Sequence, residues 1–526
     1  MTPGFKRTDV DRLLALSHSE QVHDGAVLDR DVSDRAQVCV IGSGAGGAAI
    51  AYELVRLGHS VVLLEEGAYL TGRDSPGSPE TRSAMLLRDR GDTTTADDLR
   101  IPLPLGRCVG GTTIVGNGTY ERAPDDVLHA WAEEEGMSGL GPAALAPYYE
   151  RVEKEHAVAP VPDAGFGLNN ALLERGATKL GWAGARLSRG APGCLASGVC
   201  EYGCPQDAKQ ATHVSYVPGA LAGGARLYSR TRAEKLLFSG GRVLGVRAEF
   251  IDTAGRPTGR GLRIVAERVV VACGALLTPM FLERNGVGGR VRLLGRNLRI
   301  HPAVQVAARF DEEVRGWEEV PESYRVRQFA SEGIVVHGRF DPPSVMAPRL
   351  VGFGSDHKRA LDGFARLGCF AARIAEESTG VVTANRRGGF PRVRHRLGEA
   401  DRRKLLRATG LAAELCFAAG AVEVFPGLRS RPSLSSVEEA HDVAASDAAI
   451  ADLALTGCHP MGTARMGADP SRGVTSPSGE VFGVGDLYVA DASLFPTSCR
   501  ADPQLTVMAL ALRLGEELSA GLGAPL

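Results

Sequence analysis

The chain has 526 residues, 44% hydrophobic and 23% charged, with a formal net charge of −2. That length exceeds what one hydrophobic core supports, so two domains or one large domain with insertions are expected. A near-neutral surface argues against nucleic acid as the main partner, because phosphate binding needs a basic footprint, and no run approaches the roughly 18 apolar residues of a membrane span.

In chain order, residues 1–35 read as an N-terminal extension with a helical "DVDRLLALSHSE". They carry no signal-peptide core and no twin arginine, so a cytoplasmic location with reduced thiols is expected. "VCVIGSGAGGAAIAYELVRLGHSVVLLEEG" follows, Val38 to Gly67. A β-branched run ends in Gly42-x-Gly44-x-x-Gly47, with Ala45 inside the motif. Ala48 to Leu57 reads as a helix and Ser60 to Leu64 as a second buried strand, ending at Glu65. This is the full context of a dinucleotide site. Gly42 permits the turn, Gly44 admits a pyrophosphate, and Gly47 lets helix and strand pack. Glu65 is placed to accept from ribose hydroxyls.

A second glycine loop, "GRCVGGTTIVGNGTYERAP", contains Arg107, Gly110, Gly111, Asn117 and Gly118. "GCLASGVCEYGCPQDAKQ" gathers Cys194, Cys200 and Cys204 from a chain with only 10 cysteines. "RVVVACGALLTPMFLERNGVG" reads as a buried strand leading to a helix. "SYRVRQFASEGIVVHGRF" and "GGFPRVRHRLG" read as alternating strands, and residues 400–420 as a helix with an apolar face. "TGCHPMGTARMG", "GDLYVADASLFP" and "RADPQLTVMALALRLGEEL" close the chain: a histidine motif, a strand reaching Asp491, and a last helix.

Together the two glycine loops, the strand at 268–274 and the terminal block resemble the glucose–methanol–choline (GMC) family of FAD-dependent oxidoreductases, from about residue 36 to the C-terminus. The resemblance implies an α/β fold in which a Rossmann-like FAD-binding domain is interleaved with a substrate domain on an antiparallel sheet. The FAD-binding pieces would be 36–165, 222–300 and 452–526, and the substrate pieces 166–221 and 301–451. It further implies non-covalent FAD, since no histidine stands at 106–120, with Asp491, Ala492 and Pro503 among the flavin-contacting positions.

The resemblance makes His459 the base that takes the alcohol proton while hydride passes to the flavin N5. Asp502 stands where the family has Asn or His. A carboxylate there accepts from the substrate hydroxyl and favours protonated His459, the two titrating as a pair. The bland alternative is that Asp502 caps the last helix.

Four readings of the cysteine loop stay open. One branch of the family, FAD dehydrogenases of sugars, carries the same Cys-x5-Cys-x3-Cys spacing and binds a 3Fe–4S cluster. A zinc site completed by His213 is a second. A disulfide, Cys194–Cys200 or Cys200–Cys204, is a third, and free thiols are the fourth. The expected activity is oxidation of an alcohol, preferably apolar, to a carbonyl. Oxygen, a quinone or a redox protein would be the electron acceptor. Alternatives are a sugar dehydrogenase using the cluster and a non-redox lyase or isomerase.

Overall fold

The computed structural model describes residues 19–74, 77–97, 99–289, 291–347, 350, 353–385 and 389–523. The helix expected at 9–20 falls almost wholly outside these residues.

The first sheet has eight strands. Val22–Asp24, Arg226–Ser229, Val61–Leu64, Val32–Ile41 and Pro257–Val271 lie side by side and run parallel. Leu487–Val489 adds in parallel to the last of these. Arg242–Ile251 and Thr231–Ser239 extend the sheet antiparallel. Val38, Val40, Val61, Val62, Val270 and Val271 are all fully buried. A parallel strand is covered on both faces, so it reads as a continuous apolar run. The stretch read as an extension through residue 35 contributes to this sheet, because Val22–Asp24 pairs at its edge and the central strand begins at Val32.

Register decides where the ligand site falls. Ile41 pairs with Leu64 and with Val271, and Val271 pairs with Val489. The C-terminal ends of these parallel strands therefore share one edge, bringing Gly42, Glu65, Ala272 and Ala490 together. That edge is where open α/β sheets bind ligands.

The second sheet is antiparallel, in the order Glu423–Phe425, Pro302–Arg309, Leu367–Ile374, Ile334–Gly338, Tyr324–Val326, Gly184–Arg186, with Leu455–Gly457 added on Pro302–Arg309. Its two faces differ because strand side chains alternate. Val304, Val306, Val326, Val336, Phe370 and Ala372 join one apolar core with Leu405 and Leu406 of the helix Glu399–Ala418. The opposite face presents Arg325 paired with His337, His337 with Ala371, and Arg373 two residues on. One face thus builds the core, while the other carries these charged residues and, at the Ala307, Leu367 and Cys369 end, a smaller apolar cluster. Among the described residues no helix is long and apolar enough to cross a membrane.

Gly42 has φ +102°, and a Cβ on Gly47 would stand 1.9 Å from the Gly42 carbonyl oxygen. Gly47→Ala is therefore expected to destabilise the protein by about 1–3 kcal/mol through overpacking. Thermal unfolding followed by circular dichroism measures this; an unchanged melt would refute so tight a contact.

Candidate active site

The helix Ala45–Arg56 starts at Gly44, with no side chain capping its first amides. A Cβ on Gly44 would meet nothing within 4 Å, whereas one on Gly46 would stand 1.7 Å from the Ala490 carbonyl. The loop is thus packed tightly on its sheet side and open in front of the helix N-terminus. Free amides and a positive dipole end suit a pyrophosphate there, and these residues fit a dinucleotide. Glu65 lies at the rim of this space. Its Oε2 accepts from Ser43 Oγ at 2.7 Å and its Oε1 from Gly67 N at 2.9 Å. Burial raises its pKa against the pull of these bonds.

The second glycine loop closes over the first. A Cβ on Gly111 would stand 3.1 Å from the Gly44 Cα, and Gly110 N donates to Ser43 Oγ at 3.0 Å. The Arg107 side chain reaches an acidic residue. Its Nε is 3.1 Å from Glu66, a carboxylate also paired with Arg88 and Arg232. Burial opposes ionisation of Glu66, yet these arginines hold it at about 2. Asn117 lies deeper. Its Nδ2 donates to Glu322 at 2.9 Å and Glu201 at 3.1 Å, while its Oδ1 is buried without a partner. The Gly118 Cα packs beside Lys209. Asp491 accepts from Gly274 N at 2.8 Å and Ser493 N at 2.8 Å, which binds the ends of two parallel strands together; Ala492 follows it and accepts from Gly462 N. Pro503 precedes the last helix, Gln504–Ala520.

His459 and Asp502 meet between the two sheets. His459 Nε2 is 3.2 Å from Asp502 Oδ1. Asp502 does not cap the last helix. Its Oδ1 accepts from Arg373 Nη1 at 2.6 Å and its Oδ2 from Arg325 Nη2 at 2.6 Å. Both arginines are nearly fully buried. Burial alone would raise the Asp502 carboxyl, but Arg325 and Arg373 hold it well below the ordinary range. For His459 the carboxylate pulls in the expected direction and burial outweighs it. Burial lowers its pKa to about 3; Asp502 pulls upward, but Arg373 and Arg325 push down alongside burial. The ring is neutral.

Sequence reasoning missed the rest of this centre. His301 stands against His459, Nδ1 to Nδ1 at 3.1 Å, and its Nε2 is 2.6 Å from Ser498 Oγ. Its backbone amide donates to the buried carboxylate of Glu376 at 3.2 Å, and its φ is +49°. Arg325 also binds Glu121 and, at 2.8 Å, Glu322; His337 lies 3.1 Å from Glu322. The alternation of "SYRVRQF" was the available signal, because it puts Arg325 on the face opposite Tyr324 and Val326. The stretch that suggested an apolar substrate does not line this centre. "GLAAELCFAAGAVEVF" belongs to the core-packed helix and its exit, while the wall around His459 is charged.

The cysteine loop does not form the expected metal centre. Among the described residues no group of three Cys, His, Asp or Glu side chains is placed to hold a metal ion. Cys194, Cys200 and Cys204 are free thiols, so neither disulfide is formed. Arg189 Nη2 instead donates to Cys200 Sγ at 3.2 Å. His213 turns to Asp207, 3.3 Å away, and supplies no fourth ligand.

Comparison with known proteins agrees with this geometry. Residues 83–303 and 376–511 match the N- and C-terminal models described as GMC oxidoreductase, and residues 40–79 match an NAD(P)-binding Rossmann-like domain. An uncharacterized GMC-type oxidoreductase of Mycobacterium tuberculosis is 38% identical over 94% of this chain and 79% of its own. A long-chain-alcohol oxidase of Arabidopsis thaliana is 26% identical over 96% of this chain and 71% of its own. In fold, the chain is similar to a formate oxidase of Aspergillus oryzae studied for modification of its FAD (TM-score 0.69, 14% identity), over 93% of this chain and 99% of that one.

Asp502→Asn keeps the shape and removes the anion that Arg325 and Arg373 share. Breaking a buried pair on one side is expected to cost about 3–5 kcal/mol in denaturant unfolding. The folded carboxyl titrates below its ordinary 3.8. Its contribution is therefore present above pH 3.8 and lost as pH falls through the folded value. The gap between wild type and variant should narrow on acidification, and a gap independent of pH would place the cost elsewhere.

Proposed function

The chain belongs to the GMC oxidoreductase family, and on that premise we propose that this flavoprotein binds FAD non-covalently and oxidises an alcohol CH–OH to a carbonyl. When bound, FAD supplies the hydride acceptor. Gly42, Gly44, Ala45 and Gly47 with Glu65 would hold its adenosine diphosphate half. Gly110, Gly111, Asn117, Gly118, Asp491, Ala492 and Pro503 would line the path toward its ring.

The observation that carries the reading is a buried His459 with its Nε2 3.2 Å from Asp502, a carboxylate held by two buried arginines. A base must be unprotonated when the alcohol arrives, and burial among arginines keeps it so. The substrate hydroxyl would approach His459 Nε2 and take the place of its contact with Asp502 Oδ1. His459 takes its proton at Nε2, and the charged wall orients the remaining polar groups. The long-chain-alcohol oxidase relative supports an alcohol as donor. The wall of Arg325, Glu322, His337 and Asn117 favours a compact, hydroxyl-bearing substrate over a long apolar chain. No iron–sulfur relay is invoked, since the cysteine loop does not fit one, and oxygen is the first electron acceptor to test.

Anaerobic mixing of the holoenzyme with a panel of small polyols and hydroxylated compounds tests the reading. The flavin absorbance should bleach with one of them, and His459→Gln should slow bleaching about 10²–10⁴-fold while retaining FAD. Conversion of the compound without bleaching would support the lyase or isomerase alternative. Iron and acid-labile sulfide, counted against FAD, should be absent.

A further inference from the structure

The two ring nitrogens of His459 face different partners, and only one of them serves the reaction proposed above. Nε2 looks at Asp502 and Nδ1 looks at His301. We propose that His301 is a proton-relay residue, positioned by Glu376, that passes the proton released from His459 Nδ1 to Ser498 and out of the buried site. The proposal rests on the alcohol-oxidising reading of the same centre.

The chain of contacts is continuous. Asp502 Oδ1 to His459 Nε2 is 3.2 Å, His459 Nδ1 to His301 Nδ1 is 3.1 Å, and His301 Nε2 to Ser498 Oγ is 2.6 Å. Two nitrogens this close must share one hydrogen, so one ring donates and the other accepts. In the resting protein Asp502 can only accept, which puts the His459 proton on Nε2. His301 then donates from Nδ1, and Ser498 donates to its Nε2. For the alcohol to donate to His459 Nε2, that nitrogen first gives its proton to water in the open site while Ser498 takes one from water. The order along the chain then reverses with no change in net charge, and every nitrogen still has a partner.

The step balances in that order. The alcohol O–H breaks as N–H forms at His459 Nε2. The His459 Nδ1–H breaks as N–H forms at His301 Nδ1. The His301 Nε2–H breaks as O–H forms at Ser498, which gives its own proton to water. The two electrons leave with the hydride, so the relay carries protons alone. His459 is neutral again at the end.

Two further observations point outward. Ser498 is half-buried, whereas His301 is 1% exposed. A narrow pocket with room for about one water also reaches His301 and Arg373, lined farther out by Ala330, Gly333 and Arg500. The backbone of His301 is held in the left-handed region, which costs free energy for a non-glycine residue and persists where the surroundings fix it. Glu376 fixes it, accepting from the amides of both Ile300 and His301. Burial, helped by His459 and Arg373 and opposed by Glu376 and Asp502, lowers the pKa of His301 to about 3.

Two measurements test this. The first needs no substrate. Nitrogen-15 spectra of the histidine-labelled holoenzyme at neutral pH should show both rings neutral, with one proton between the two Nδ1 atoms. Two bare or two protonated Nδ1 atoms would overturn the relay. The second uses His301→Asn, since asparagine tolerates positive φ and cannot pass a proton. With FAD and substrate affinity retained, flavin bleaching by the alcohol should slow about 100-fold, with a larger solvent deuterium effect. Added imidazole should restore part of the rate in His301→Gly. Wild-type bleaching that survives in His301→Asn with unchanged rate, pH profile and isotope effect would overturn the relay alone. A wild type that no alcohol bleaches would overturn the activity reading alone, leaving the spectra to decide the relay.

Discussion

The chemistry of this molecule hangs on one shared anion. Asp502 lies between Arg325 and Arg373 at 2.6 Å from each and touches His459 at 3.2 Å. Each of the four is costly to bury by itself. Together they compensate, and the compensation is directional. Burial pushes the His459 pKa down first, the carboxylate of Asp502 pulls it up, and the two arginines that hold that carboxylate push down alongside burial.

Two layers of structure put these groups in contact. The parallel strands of the first sheet end in register, so the loops after Ile41, Leu64, Val271 and Val489 converge at one edge. The antiparallel sheet splits its residues by alternation, apolar side chains to the helix Glu399–Ala418 and charged ones to the opposite face. His459 comes from the loop after Leu455–Gly457 of the second sheet, Arg325 and Arg373 from strands of that sheet, and Asp502 from the loop before the last helix. The second sheet supplies three of the four, and the ion pairs of Asp502 tie it to the approach of the last helix.

What was legible in the sequence follows from this division. The nucleotide cleft could be read because its elements are consecutive: strand, glycine turn and helix occupy residues 32–56, and local spacing carries the geometry. His459 and Asp502 could be read because they sit in compact motifs. Their protonation could not, because it depends on Arg325 and Arg373, which lie more than a hundred residues away from Asp502. His301 was missed for the same reason: 158 residues separate it from His459. The Arg107 side chain completes a cluster on Glu66 with Arg88 and Arg232 that only the folded sheet assembles, so no local motif announces it.

The cysteine loop shows how spacing misleads when charge is left out. Arg189 donates to Cys200 Sγ and, with its Nε at 2.9 Å, to the Asn117 carbonyl. Lys209 is buried alongside, its pKa brought down to about 8 by desolvation, with its ammonium on the carbonyls of Ile114, Gly116 and Cys200. Both cations therefore tie the cysteine loop to the second glycine loop. Backbone carbonyls of a glycine-rich turn cannot all be satisfied from within the turn, and these side chains supply the missing donors. The loop that looked like a ligand cradle is a brace, and the residues it braces, Ile114 to Gly118, lead toward the wall of the reaction chamber.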